Sequence, residues 1–314
     1  MFLYMSLSPS RLPYFLAIAR HGGVLAAADA LRVSPSAVSQ QLSRLEAEVG
    51  HALVERTPRG VVLTPAGREI VELAETIERE IDDAEHRIAA TAEDAVGIVR
   101  LGGFQTFLTA VLAPALPRWR AELPAVSVEI TEGTRGTLLR ALRSGDLDLV
   151  VVEYDAAEAA PALGAGVREI PLLDDPWRLV APAGSFAAME HVELERLRVP
   201  WLGVEASAAT FEAVRRVRAP LAGSTEAHTY GDLSTALALV AAGEGMTLLP
   251  QLALQGALPE GLEVADVPGL GARRLALRHR LGRHGPTPAI QAAIDFLRAS
   301  AASFQADPAT DVAG

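Results

Sequence analysis

Apolar residues at helical spacing open the chain. Leu12, Phe15, Leu16 and Ala19 recur every three or four positions between a Ser8-Pro9 start signal and a Gly22-Gly23 stop, predicting a first helix. Val24 to Leu31 reads as a second, short helix, with Ala26, Ala27, Ala28 and Ala30 small enough for a close helix crossing. After the turn Arg32-Val33, the cap-plus-proline pair Ser34-Pro35 opens a third helix that runs to Glu48 or Val49, ahead of Gly50. At about 100° per residue, Val38, Leu42, Leu45 and Val49 form its core-facing stripe, and Ser36, Ser39, Gln40, Ser43 and Arg44 form the opposite face. Leu53 to Arg56 and Val61 to Thr64 then read as short strands around Thr57-Pro58-Arg59-Gly60, a small hairpin or wing with Arg59 at its tip.

Thr64-Pro65 repeats the helix start. Ile70, Leu73, Ile77, Ile81, Ala84 and Ile88 then follow at intervals of three or four residues, a heptad-like seam on a helix expected to reach about Asp94. Because its other faces are strongly polar, the seam is expected to pair with a second copy rather than with its own domain. From residue 97 the pattern becomes strand and helix in alternation: Ile98 to Phe104, Thr106 to Leu123, Val126 to Glu132, Thr134 to Ser144 and Leu147 to Tyr154. That order implies a parallel sheet with right-handed crossovers. An Ala-rich stretch, Ala156 to Gly166, precedes a second α/β set, and Arg273 to Leu281 and Pro288 to Phe304 read as a late strand and a final helix.

The expected class is therefore α+β multidomain: a winged helix-turn-helix (1–64), a long linker helix (65–95) and a two-lobed α/β domain (96–305). Lobe one takes about 96–160 plus 268–305 and lobe two about 161–267, with 306–314 a disordered tail. Two lobes crossed twice by the chain place a ligand cleft beyond the strand ends. Groups at strand ends and helix starts are its candidates: Gln105 and Thr106, then Thr131, Gly133 and Thr134, then Ser207 and Thr210. Tyr154, where the chain leaves lobe one, is either hinge packing or cleft wall.

Charge sharpens this picture. The 314-residue chain carries a formal net charge of −11, yet residues 1–65 hold six Arg and four acids, net +2, against −7 for residues 66–95 and −6 for the rest. Every basic residue is Arg and there is no Asn, so a basic or amide contact to nucleic acid must come from Arg or Gln. The chain has no cysteine, which excludes disulfides and thiol chemistry, and it shows neither a membrane-length apolar run nor an export signal, so a cytoplasmic location is expected.

On the third helix, hydroxyls, an amide and a guanidinium are the groups that bond base edges and phosphates in a major groove, although an ordinary wet helix face is the plainer alternative. The run Ala26-Ala27-Ala28-Asp29-Ala30-Leu31-Arg32-Val33-Ser34-Pro35-Ser36-Ala37-Val38-Ser39-Gln40-Gln41-Leu42-Ser43-Arg44-Leu45-Glu46, continuing through Gly50, Arg56, Leu63, Thr64 and Gly67, resembles the DNA-binding domain of LysR-type transcriptional regulators. The resemblance implies that Ser36, Ser39, Gln40 and Arg44 meet double-stranded DNA, with Arg56 and Arg59 on flanking phosphates; Ser34 and Ser43 complete the candidate set. Gln40 departs from the basic residue expected there: an amide pairs with adenine but gives up charge. Residues 239 to 250 (Leu239-Val240-Ala241-Ala242-Gly243-Glu244-Gly245-Met246-Thr247-Leu248-Leu249-Pro250) extend the likeness into the effector domain, itself similar to periplasmic solute-binding proteins. It implies a small-molecule effector, a homodimer through the linker helix, a tetramer through the effector domain, and RNA polymerase as a further contact.

An enzyme reading finds little support. The chain has no G-x-x-x-x-G-K-[ST], no G-x-S-x-G and no H-E-x-x-H, so no catalytic residue, metal or cofactor is assigned. His279 and His284 lie in an Arg-rich stretch that reads as a solvated strand face or an anion site. A solute-binding protein would explain the two lobes but not the first 95 residues.

Overall fold

The computed structural model describes residues 7–57, 60–89, 95–158, 162–164, 166–187, 189–205, 209–221, 224–256, 258–281 and 285–306. They fall into two compact units, Met1–Ile88 and Ala89–Gly314.

In the first unit, α1 (Leu12–His21), α2 (Val24–Leu31) and α3 (Pro35–Val49) precede the antiparallel hairpin β1 (Val54–Thr57) and β2 (Gly60–Leu63) and the long helix α4 (Pro65–Ala89). The expected start at Ser8 differs in detail. Ser8 makes no side-chain cap, and Pro9–Arg11 forms a 3-10 turn before α1. Helix α1 ends on Gly22 and α3 on Gly50, both left-handed, while α2 ends on Arg32 at φ 54°. The core is Phe15, Ile18, Ala27, Val38, Leu42, Leu45 and Leu53. Where the wing meets α4, Thr64 Oγ1 donates to the Ala52 carbonyl and accepts from the Gly67 amide. A Cβ at residue 67 would stand 2.0 Å from the Leu53 carbonyl oxygen, so only glycine admits this approach.

Helix α4 corrects one expectation. Ala74 is buried in the unit's own core, with Ile70 and Ile77 packed against it, because the stripe is wide enough to cover the three-helix core with its first turns. Leu73 and Ile81 stay exposed, at 42% and 53%. The side chain of Ile88 lies outside the described residues, as do residues 90–94 of the expected linker.

In the second unit a seven-stranded sheet runs in the order β10, β6, β11, β5, β3, β4, with β9 also on β6. The strands are β3 (Gly97–Gly103), β4 (Val126–Glu132), β5 (Leu149–Asp155), β6 (Val167–Pro182), β9 (Thr247–Pro250), β10 (Leu262–Ala265) and β11 (Ala272–Arg280). As predicted, β3 pairs in parallel with β4 and β5, whereas β11 is antiparallel to both β5 and β6. The parallel centre is the near-continuous apolar run of β5, buried on both faces. On one face lie α5 (Gln105–Phe107), a π turn (Leu108–Leu112), α6 (Ala113–Glu122) and α10 (Pro288–Ala306); on the other lies α7 (Arg135–Ser144) with Leu138 and Leu142. Lobe two gathers β9, β10, the parallel pair β7 (Trp201–Val204) and β8 (Glu226–Tyr230), and helices α8 (Ala209–Arg218) and α9 (Leu233–Ala241).

The boundary drawn at residue 160 does not describe β6. Its first part, 167–176, pairs with β11 in lobe one, and 177–182 pairs with β9 and β10 in lobe two, so one long strand carries the sheet through both lobes. A 16-residue strand admits this because its two halves pair with different neighbours. Strand β10 had no expected counterpart. The expected tail, 306–314, begins inside α10 at Ala306, and 307–314 lie outside the described residues.

Candidate functional site

Helix α3 is held by bonds that also clear its outer face. Ser34 Oγ accepts from the Ala37 amide at 3.2 Å, which caps the helix and engages that hydroxyl with Ser36 Oγ at 2.9 Å. Glu46 Oε1 accepts from the Leu53 amide at 2.8 Å, and Glu48 takes both the Ser8 amide and Arg11, each at 3.1 Å. Both carboxylates of the helix are thus turned into the fold. Ser36, Gln40, Ser43 and Arg44 are exposed and Ser39 is half-buried, so the face offers donors and one positive charge. Among the described residues Arg44 has no acidic partner. The backbone of Arg56 lies on β1, but its side chain, and Arg59 entirely, fall outside the described residues.

In the second unit a cavity of about 130 Å³ separates the lobes. Gln105, Thr106 and Thr210 line it as expected, with Phe104, Glu153 and Arg273 from lobe one and Glu205, Tyr230, Asp232 and Leu233 from lobe two. Tyr154 belongs elsewhere. Alternation along β5 sends it to the α7 side, packed with Leu138 and Ala276, and its hydroxyl donates to Glu169 at 3.1 Å. It is packing, not cleft wall. Thr131, Gly133 and Thr134 are not among the lining residues; Thr134 caps α7, its hydroxyl accepting from the Thr137 amide at 3.4 Å. Ser207 lies outside the described residues.

The sequence reading missed the cavity's charges. Arg273, 3% exposed, donates from Nε to Asp175 at 2.9 Å, from Nη2 to Thr106 Oγ1 at 2.8 Å and from Nη1 to Glu153, and it stacks over Phe104. The Leu252 amide also donates to Asp175 at 3.0 Å. Burial pushes the Asp175 carboxyl up, against the pull of Arg273 beside it. Asp232 is the opposite case: hydrogen bonds from Ser234 and from the amide and hydroxyl of Thr235 hold it down at about 2. Burial pushes the Tyr230 phenol up to about 12, although its bond with Thr247 acts the other way. Of the Arg-rich strand, Arg278 is buried against Glu169 and Arg274 pairs with Asp174, so neither is an open anion site. No group of three His, Cys, Asp or Glu able to hold a metal occurs among the described residues.

Comparison with known proteins adds to this geometry. Residues 9–68 match the family model of the bacterial regulatory helix-turn-helix protein of the lysR family, and residues 92–302 match the LysR substrate binding domain. A probable hydrogen peroxide-inducible genes activator from Streptomyces viridosporus is 32% identical over 286 residues, 88% of each chain. The nitrogen assimilation regulatory protein nac of Klebsiella aerogenes is 32% identical over 77% of this chain and 78% of its own. Among solved structures, a full-length OxyR from Pseudomonas aeruginosa carrying a cysteine-to-aspartate change superposes with a TM-score of 0.68 at 23% identity, covering 94% of this chain and 97% of that one. Full-length CbnR in complex with its target DNA superposes at 0.54 with 24% identity, covering 94% and 99%.

Proposed function

The chain belongs to the LysR family of bacterial transcriptional regulators, and from that premise we propose how its own residues read DNA and sense a signal. It is a DNA-binding regulator with a C-terminal effector domain rather than an enzyme. The carrying observation is the outer face of α3, where both acids are turned inward and Ser36, Ser39, Gln40, Ser43 and Arg44 are left to the groove. Gln40 and Arg44 read base edges; Arg56 and Arg59 hold phosphates. Leu73 and Ile81 on α4 bury against a second copy, and the resulting dimer spans two half-sites. The effector domain then joins dimers into a tetramer. The cavity at Thr106, Thr210 and Tyr230 takes a small molecule that favours one lobe arrangement and thereby one spacing of the bound DNA.

Several relatives are named as hydrogen peroxide-inducible genes activators. A thiol–disulfide response needs cysteine, and this sequence has none, so we infer a signal by bound ligand rather than by thiol oxidation. Among the described residues no helix is long and apolar enough to cross a membrane.

The test is selection of genomic fragments by the purified protein at physiological salt, beside a Gln40→Ala/Arg44→Ala double variant. Recovery of a few fragments with inverted half-sites, lost in the variant, is the expected result. Gln40→Ala alone relaxes preference at one base pair per half-site, at about 1–3 kcal/mol for the preferred base. An unchanged base profile counts against Gln40 as a reader.

A further inference from the structure

We propose that the effector presents a cationic amine to this cavity. The inference rests on the reading of the cavity as the effector site and deepens it by naming a ligand class. Among the lining residues Arg273 is the sole cation, and it is already held by Glu153, Asp175 and Thr106 while lying against the Phe104 ring. It is therefore built into the wall. A ligand carboxylate that recruited it would strip the buried Asp175 of its counter-charge, an uncompensated burial that proteins avoid.

The opposite wall is acidic. Glu205, exposed at the end of β7, is fixed through its amide, which donates to the Tyr230 carbonyl at 3.0 Å, while its carboxylate has no ionic or hydrogen-bond partner among the described residues. Its carboxylate lies 2.8 Å from where a Cβ on Gly231 would stand, so glycine there leaves it room over the chain that leads to Asp232. Asp232 is ionised at any ordinary pH. With Arg273 shared between Asp175 and Glu153, Glu205 and Asp232 are the lining carboxylates that have no basic partner among the described residues, and no second cation lines the cavity. Leu233, Leu249 and Ala253 supply apolar surface beside them. An ammonium group on a short apolar body satisfies both halves, whereas a free carboxylate meets like charge with no available cation. A bare metal ion fits less well, since the described acids do not converge as a ligand set.

The experiment uses the full-length protein at pH 7.5 and two matched pairs of probes: benzylamine against benzoate, and n-butylamine against butyrate. Melting temperature and calorimetric affinity are measured for wild type, Glu205→Gln and Thr210→Trp. The expected result is that the amines raise the melting temperature and the acids do not, with amine affinity about tenfold weaker in Glu205→Gln. Thr210→Trp, which fills the cavity from the start of α8, abolishes amine binding. No amine response at 10 mM overturns the proposal, as does equal or tighter binding of the acids, or amine affinity unchanged in Glu205→Gln. If acids bind and Thr210→Trp abolishes that binding, the amine class is wrong and the effector cavity stands. If any probe binds and Thr210→Trp leaves it intact, the reading of the cavity falls as well.

Discussion

Tyr230 shows how one buried side chain makes the cavity sensitive to its surroundings. Its phenol sits inside lobe two, bonded to Thr247, and burial raises it to about 12 from an ordinary value of 10. A raised value means that the folded state keeps the proton while the unfolded chain loses it. The stabilisation is therefore complete below about pH 10 and is lost as pH rises through 12, in total on the order of 2–3 kcal/mol. In urea unfolding between pH 9 and 12, wild type should lose stability that Tyr230→Phe does not lose, and the variant should lack a phenolate that appears near pH 12 in ultraviolet absorbance. A Tyr230 that ionises near 10 would show that the lobe is open to water there. Asp232 has the opposite sign, held down by Ser234 and Thr235, so its contribution exists above about pH 4 and fades as pH falls towards 2. Such residues were hard to read in advance, because a place on a cavity wall is set by packing between elements distant in sequence.

Helix α4 divides its apolar stripe between two duties. Ile70, Ala74 and Ile77 close the core of their own unit, and Leu73 and Ile81 remain on the outside. A Leu73→Asp/Ile81→Asp variant should sediment as a monomer with its helical content unchanged. Ile77→Ala should instead keep the assembly state and lower stability by about 1–3 kcal/mol in urea unfolding. The reverse pattern would assign Ile77 to the dimer contact and the outer pair to solvent. Spacing alone did not separate these duties because residues three and four apart share one broad helix face; which edge meets α1 depends on how the hairpin docks the start of α4, through Thr64 and Gly67. The same limit applied to β6, legible as a long strand but not as one shared by two lobes.

Across the whole molecule, a chain with net charge −11 must bind a polyanion through a locally positive surface. With Arg56 and Arg59 on phosphates in each of two protomers, affinity for DNA between 50 and 200 mM salt should fall with a log–log slope of about −4. Arg59→Ala should flatten that slope by about 2 per dimer and weaken all sequences alike. A loss confined to certain sequences would make Arg59 a base reader. Most of the elements, their order and the polar outer face of α3 were determined by the sequence itself, because caps, glycine stops and helical period act over a few residues and need no distant partner, whereas the short strand β10 was not. The cavity's character was decided only by the tertiary structure. Arg273 meets Glu153 across 120 positions and Thr106 across 167, while alternation along one strand turns Glu153 to the cavity and Tyr154 away from it. Charge balance in a cleft depends on which distant side chains converge and which already neutralise one another, and no local pattern encodes that sum.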